Sequence, residues 1–154
     1  MESNTYIHFG APHFIPDLVQ PIKNLAFFSK PAGGLWASPV DAEFGWIDWM
    51  NENDYLGRES ITKSFFQFKL KPETRLLTIT DVSQLANLPH RGDEDCFIED
   101  KLFSAWQLLD FEELAKSYDA IEVILSADWR LYHELYGWDC DSILIMNKDI
   151  IEII

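Results

Sequence analysis

The sequence has little basic charge and no long apolar segment. Only 12 lysines and arginines stand against 26 acids, which gives a formal net charge of −14. Such a surface repels phosphate backbones, so we expect no nucleic-acid binding through a basic footprint. No apolar run approaches the roughly 20 residues of a membrane-spanning helix, and the first residues carry neither the basic nor the apolar region of a secretory signal. We therefore expect a cytoplasmic protein with no membrane partner.

Cysteine and the common catalytic motifs are also scarce. The two cysteines, Cys96 and Cys140, are too few for a disulfide framework and form no Cys-x-x-Cys pair. The four histidines are scattered, without a His-x-x-x-His pair, so no metal is expected. Neither a Gly-x-x-x-x-Gly-Lys-Ser/Thr phosphate loop nor a Gly-x-Ser-x-Gly elbow occurs, so nothing supports a nucleoside triphosphatase or a serine hydrolase.

Hydrophobic and aromatic residues are plentiful, at 47% and 14% of the chain. This composition is ample for a packed core and argues against disorder. No repeat, low-complexity tract or Gly/Ser linker interrupts the sequence, so we expect one domain over 1–154.

Apolar periodicity and turn residues predict many short strands with a few helices between them. Prolines at 12, 16 and 21 predict that 11–24 is a loop with at most a short helix. The predicted strands are 5–9, 35–38, 64–70, 75–80, 120–125, 142–146 and 150–154, and the predicted helices are 41–52, 82–88, 110–116 and 131–135. This order predicts an α+β fold with a split, mostly antiparallel sheet.

Four short motifs follow one another along nearly the whole chain. They are Tyr6-Ile7-His8-Phe9-Gly10, Gly33-Gly34-Leu35-Trp36-Ala37-Ser38, Tyr118-Asp119-Ala120-Ile121 and the run from Asp141 to Ile150. The first is a strand with a His followed closely by Gly. The second is a Gly turn into a short strand that precedes an aromatic-rich helix. The last begins with an acid and continues through apolar residues to a turn.

This order of motifs resembles the ADP-ribosyltransferase superfamily, on the branch that uses a His, an aromatic residue and an acid. The resemblance is to a small bacterial or phage-like, toxin-like member. It implies a split sheet of ADP-ribosyltransferase type, NAD⁺ as the small-molecule substrate and a macromolecular acceptor that the sequence does not identify. The chain differs from the family pattern in carrying Ala120 for a Gly, Lys148 for a Pro and an Asp for the usual Glu.

By this resemblance, three residues have catalytic roles. A carboxylate at the ribose hydroxyls stabilises the positive charge that develops when the nicotinamide–ribose bond breaks, and Asp141 takes this role. Asp139, two residues earlier, is the alternative acid. His8 bonds a hydroxyl of the adenosine ribose, and Ser38 supports the strand or the nicotinamide amide.

The resemblance also implies a set of residues that contact NAD⁺. Trp36 provides an aromatic wall for the nicotinamide ring, and the glycines let the backbone approach the ligand. The implied contacts are His8, Phe9, Gly10, Gly33, Gly34, Leu35, Trp36 and Ser38. If this interpretation is correct, the imidazole of His8 and the late carboxylate face one cleft between two small sheets.

A second class of function remains open, that of a catalytically silent acidic interaction protein. Such an inhibitor, for example a nucleic-acid mimic, is expected to present its helix acids Asp41, Asp48 and Glu52 as a continuous stripe. The acids of 94–100 cluster in one predicted loop instead, which favours the enzyme. Under the interpretation as an interaction protein, His8 is a structural histidine, and Trp46 and Trp49 are packing residues.

Overall fold

The computed structural model describes residues 4–26, 28–92 and 108–154. It is an α+β fold, as predicted, with short helices and a curled, mostly antiparallel sheet. The strands of the described residues are β1 (Thr5–Phe9), β2 (Gln20–Lys23), β3 (Ala32–Pro39), β4 (Phe65–Leu70), β5 (Leu76–Ile79), β6 (Ala120–Val123), β7 (Ser142–Ile145) and β8 (Ile151–Ile153). The α-helices are α1 (Trp46–Glu52), α2 (Arg58–Ile61), α3 (Phe111–Ser117) and α4 (Arg130–Glu134).

Most predicted elements are present, and the differences have local causes. The prediction of a loop over 11–24 was wrong for residues 20–23, which form β2. This strand pairs with β3 at an edge position, where Pro21 is tolerated. The helix predicted over 41–52 begins only at Trp46, where the backbone N–H of Gly45 donates to Asp48 Oδ2 at 2.8 Å. The predicted acidic loop over 89–100 lies largely outside the described residues.

The strands follow the order β5-β6-β7-β3-β1-β4-β8, with β2 paired to β3. The recorded pairs are antiparallel except β5 with β6. In a flat sheet β1 and β6 lie three strand spacings apart, roughly 14 Å. The hydroxyl of Tyr6 on β1 nevertheless donates to Glu122 Oε2 on β6 at 2.7 Å. The sheet is therefore strongly curled, with both side chains on its inner face.

Strand β3 is shared by the two halves of this curled sheet. Its middle, Leu35 to Ala37, pairs with β7, whereas its end, Ser38 and Pro39, pairs with β1. The pairing of β1 with β3 is recorded only at Tyr6 and Ile7. Toward His8 and Phe9, no further pairing of the two strands is recorded among the described residues.

Both faces of the sheet are covered by apolar side chains. On β7, Leu144 belongs to the cluster that includes Trp138 and the helix residue Phe111, whereas Ile143 and Ile145 belong to the cluster around Tyr6 and the β4 aromatics. Alternate residues of a strand point to opposite faces, so β7 is buried on both sides. All four of its residues are buried, which explains its unbroken apolar sequence.

A buried carboxylate joins the start of β6 to the segment before β5. Asp119 accepts from the backbone N–H of Arg75 at 2.9 Å and from its guanidinium at 2.9 and 3.2 Å. Asn147 Nδ2 also donates to it at 3.1 Å. These bonds, the Arg75 side chain first among them, lower the pKa of Asp119 to about 2.

We predict that Asp119 contributes to stability at neutral pH and loses that contribution in acid. Its folded pKa, about 2, lies below the roughly 3.9 of an unfolded Asp. The contribution is therefore complete above about pH 4 and falls as the pH drops toward 2. Urea unfolding of wild type and Asp119→Asn between pH 2 and 7 measures this. The difference in unfolding free energy should shrink in acid; a constant difference would contradict the assignment.

Candidate functional site

A cavity of about 220 Å³ lies where β1 and β3 separate. Its walls are residues 7–9 of β1, residues 36–38 of β3 and the segment 137–140 before β7, completed by Lys30, Trp46 and Ser142. The cavity therefore uses the two ends of the chain and the first turn of α1. It brings together four of the residues implied by sequence, namely His8, Phe9, Trp36 and Ser38.

His8 bridges the gap between β1 and β3 with its side chain. Its Nδ1 lies 2.6 Å from the carbonyl oxygen of Trp36. Because a carbonyl only accepts, Nδ1 carries the hydrogen, and Nε2 of the neutral ring is an acceptor. Burial lowers the pKa of His8, which favours this neutral form at pH 7. The Phe66 ring packs 5.1 Å away, between centroids. His8 is thus held in one orientation.

Aromatic rings form one side of the cavity. Trp36 meets Trp138 edge to face with centroids 4.6 Å apart, and the indole N–H of Trp138 donates to the carbonyl of Ser29 at 2.7 Å. The ammonium of Lys30 lies 4.6 Å from the centroid of Trp36, within range of a cation–π interaction. Trp46 stacks on Trp49, with centroids 4.8 Å apart and planes at 6°. Trp46 therefore packs as expected, and it also lines the cavity.

Ser38 ties the start of α1 to β3. Its Oγ accepts from the backbone N–H of Trp46 at 3.1 Å and lies 4.0 Å from the sulfur of Cys140. This bond supports the start of α1. Burial raises the pKa of the Cys140 thiol to about 12, so it is protonated at neutral pH.

Asp141 does not line the cavity. It is 1% exposed, and its carboxylate accepts from Ser126 N at 2.9 Å, Ser126 Oγ at 2.6 Å and Phe44 N at 3.3 Å. Its own N–H donates to the carbonyl of Phe44 at 2.8 Å. Asp141 therefore joins the start of β7 to the segment before α1. The structure places the alternative acid, Asp139, in the cavity wall.

Asp139 has the environment of an acid that is free to bind a ligand. It is half-buried, and its carboxylate has no hydrogen bond or ion pair to the residues that the structure describes. Asp141, by contrast, is fully buried, and its carboxylate accepts hydrogen bonds from Ser126 and Phe44. Of the two acids that the resemblance implies, Asp139 is therefore the one that lines the cavity.

The glycines and Leu35 are structural and not part of the cavity wall. A Cβ at Gly34 would meet Leu144 and, at 2.8 Å, the carbonyl of Ile145, and one at Gly33 would collide with the carbonyl of Pro21. Both have positive φ, 84° for Gly33 and 66° for Gly34. They therefore permit the close pairing of β3 with β2 and β7. Gly10 lies outside the cavity, and Leu35 is buried in the core.

Among the residues of the cavity wall, sequence reasoning missed Lys30, Gly137, Trp138 and Cys140. Lys30 and Trp138 lie just outside the second and fourth motifs. Cys140 lies between Asp139 and Asp141, the two candidate acids. A signal was present in the unusual run Trp138-Asp139-Cys140, where an aromatic residue precedes an acid directly before an apolar strand.

The helix acids do not decide between an enzyme and an acidic interaction protein. Asp41, Asp48 and Glu52 are all exposed, and Asp48 and Glu52 share one face of α1 by their spacing. The Asp48 carboxylate accepts from the N–H of Gly45 and so has a capping role. The acids of 94–100, which the sequence predicts to cluster in one loop, lie outside the described residues.

No protein-family model, curated protein or solved structure matches the chain. Among the described residues, no helix is both long and apolar enough to cross a bilayer, and no group of three or more His, Cys, Asp or Glu side chains is placed to hold a metal.

We predict unequal stability effects for substitutions of the two aspartates. Asp141→Asn puts an NH₂ group among donors and leaves a buried bond unmade, which should lower the unfolding free energy by about 1–3 kcal/mol. Asp139→Asn removes no bond to the described residues and should change it by less than about 0.5 kcal/mol. Chemical denaturation at pH 7 measures both. Equal losses in the two variants would contradict the structural role of Asp141.

Proposed function

We propose that this chain cleaves the nicotinamide–ribose bond of NAD⁺ in the cavity and transfers ADP-ribose to an acceptor or to water. The observation that supports this is the meeting of His8, Trp36 and Ser38 with a free carboxylate, Asp139, around one hollow. A His, an aromatic residue and an acid are the three groups that the resemblance to ADP-ribosyltransferases implies.

The strand arrangement supports the same proposal. The strands that carry the His and the aromatic residue, β1 and β3, are neighbours, and β7, which the acid precedes, is the next strand on the other side of β3. The sheet is also split at the junction of β1 and β3. A split sheet of ADP-ribosyltransferase type accounts for both features.

The cavity size indicates which part of NAD⁺ is enclosed. Pockets for drug-sized ligands usually measure about 300–1,000 Å³, and this one measures about 220 Å³. It therefore takes the nicotinamide ring and its ribose, while the adenosine half extends along the open split between the strands. The reacting bond is then inside the cavity and screened from bulk water.

Asp139 is the proposed catalytic acid. When the C–N bond breaks, its electron pair goes to the pyridinium nitrogen, and the positive charge passes to the ribose. A carboxylate beside the ribose hydroxyls stabilises this charge more in the transition state than in the ground state. The acceptor then attacks the anomeric carbon, and the proton that it loses passes to solvent water. Since Asp139 has no partner among the described residues, it keeps its full capacity to accept hydroxyl bonds.

His8 and Trp36 position the substrate. The Nδ1–H of His8 is engaged by the Trp36 carbonyl at 2.6 Å, so Nε2 is the acceptor for a ribose hydroxyl. The neutral ring suits a hydroxyl donor better than an imidazolium would. Trp36 supplies an indole face for the cationic nicotinamide ring.

The test is NAD⁺ binding and nicotinamide release by purified protein. At 100 times its dissociation constant, NAD⁺ should stabilise the wild type by about 2.7 kcal/mol. Asp139→Asn should lower the rate of nicotinamide release by about 100-fold, since it removes the charge that stabilises the transition state. His8→Ala should abolish the thermal shift.

The matched control is Asp149→Asn, which removes an exposed acid outside the cavity. It should bind and release like wild type. If wild type shows no shift at millimolar NAD⁺ and releases no nicotinamide, the proposal is refuted and the silent acidic interaction protein becomes the better interpretation. Equal release rates in Asp139→Asn and wild type would refute the role of Asp139.

A further inference from the structure

We propose that Lys30 forms a phosphate-binding subsite at the cavity, which selects a nucleotide ligand. This subsite is not among the residues that the sequence motifs imply. The identity of its ligand as the diphosphate of NAD⁺ rests on the proposed function. The subsite itself rests on the placement of one cation in a strongly acidic protein.

Lys30 provides the positive charge in the cavity wall. The wall contains one lysine and no arginine, and burial favours the neutral form of His8, the histidine in the wall. The chain as a whole has a net charge of −14, which repels anionic ligands at long range. An anion that binds here must therefore gain its attraction from a local cation, and Lys30 is placed to provide it.

The Lys30 ammonium is not neutralised by a protein carboxylate. Among the described residues it has no salt bridge, and its ammonium lies over the ring of Trp36 at 4.6 Å. The acids elsewhere in the described chain pair with Arg58, Arg75, Lys116 and Arg130. Lys30 thus keeps its charge available to a ligand.

The stem of Lys30 is held in place by Gly137. A Cβ at Gly137 would come within 3.3 Å of Lys30 Cβ and 3.6 Å of its Cδ. Gly137 also has a φ of 99°, which favours glycine. The lysine stem therefore packs closely against the backbone just before Trp138, and only its head is free to turn toward a ligand.

Charges of both signs face this cavity. Asp139 and Lys30 both line the cavity, together with the buried Cys140. The reacting end of NAD⁺ carries a cationic ring, and its diphosphate is anionic. A carboxylate and an ammonium in one cavity match this charge order. The His8 acceptor adds a preference for a hydroxyl, so the matched ligand combines a flat ring, a hydroxylated sugar and a phosphate.

Ligand binding then exchanges the partners of Lys30. An ammonium is a compact point charge that suits phosphate, so its head leaves Trp36 for the diphosphate. The indole face that it vacates becomes available to the nicotinamide ring.

The experiment compares one charged and one uncharged probe by calorimetry. ADP-ribose carries the diphosphate, and adenosine does not. Lys30→Met keeps an apolar stem and removes the charge, and it should weaken ADP-ribose binding at least tenfold while adenosine binding changes less than twofold. Lys30→Arg should retain ADP-ribose binding within about threefold. Lys23→Met, at an exposed lysine of β2, is the matched control and should bind like wild type.

Salt provides a second measurement of the same charge. Raising NaCl from 0.05 to 0.5 M screens exposed charges and should weaken ADP-ribose binding more in wild type than in Lys30→Met. Equal ADP-ribose affinity in wild type and Lys30→Met would overturn the subsite, and so would an equal loss of adenosine binding.

The two proposals fail in different ways. Lys30-dependent binding of ADP-ribose without nicotinamide release from NAD⁺ supports the subsite and refutes NAD⁺ cleavage. Nicotinamide release with an unchanged KM for NAD⁺ in Lys30→Met supports cleavage and refutes the subsite. If wild type binds neither ADP-ribose nor NAD⁺ at millimolar concentration, both are refuted.

Discussion

The rest of the structure depends on the strong curl of the sheet, which is evident from the hydrogen bond between Tyr6 and Glu122. It joins β1 to β6 across the inner face of the sheet at 2.7 Å, and a flat sheet would not permit it. Burial raises the pKa of both the Tyr6 phenol and the Glu122 carboxyl. A polar pair of this kind is tolerated inside an apolar cluster because each group is satisfied by the other. The curl that brings them together also separates β1 from β3 at one end, and the cavity is formed there.

The cavity depends on side chains that replace backbone pairing. Where the β1–β3 ladder stops, the His8 imidazole bonds the carbonyl of Trp36, and Ser38 bonds the first N–H of α1. His8 satisfies a backbone partner and keeps Nε2 as an acceptor for a ligand. The proposed site lies where the pairing of β1 with β3 ends: polar side chains bond the strand edges there, and aromatic rings cover the remaining apolar surface.

Much of the fold was predictable because it depends on local patterns. The β1 bounds, the apolar β7 run and the Asp81-capped turn at Val82–Asn87 follow from alternation, burial and side-chain capping. The start of α1 was missed, since it depends on the bond from Gly45 to Asp48 and on the contact of Trp46 with Ser38 of β3. Strand β2 was missed because the prolines around it and within it suggest a loop, whereas its place at a sheet edge comes from the pairing with β3.

By itself, the sequence determined the α+β class, the acidic surface and the motifs that carry His8, Trp36 and Ser38, because each is a matter of composition or of short periodic patterns. Only the tertiary structure decided which aspartate faces the cavity. Residues two apart on a strand point to the same face, so the sequence pattern does not distinguish Asp139 from Asp141. In the structure β7 begins only at Ser142, and Asp139 lies outside the strand. Asp141 is captured by Ser126 and Phe44, 15 and 97 residues away. Contacts over such separations leave no local pattern in the sequence, and they alone leave Asp139 free beside Lys30.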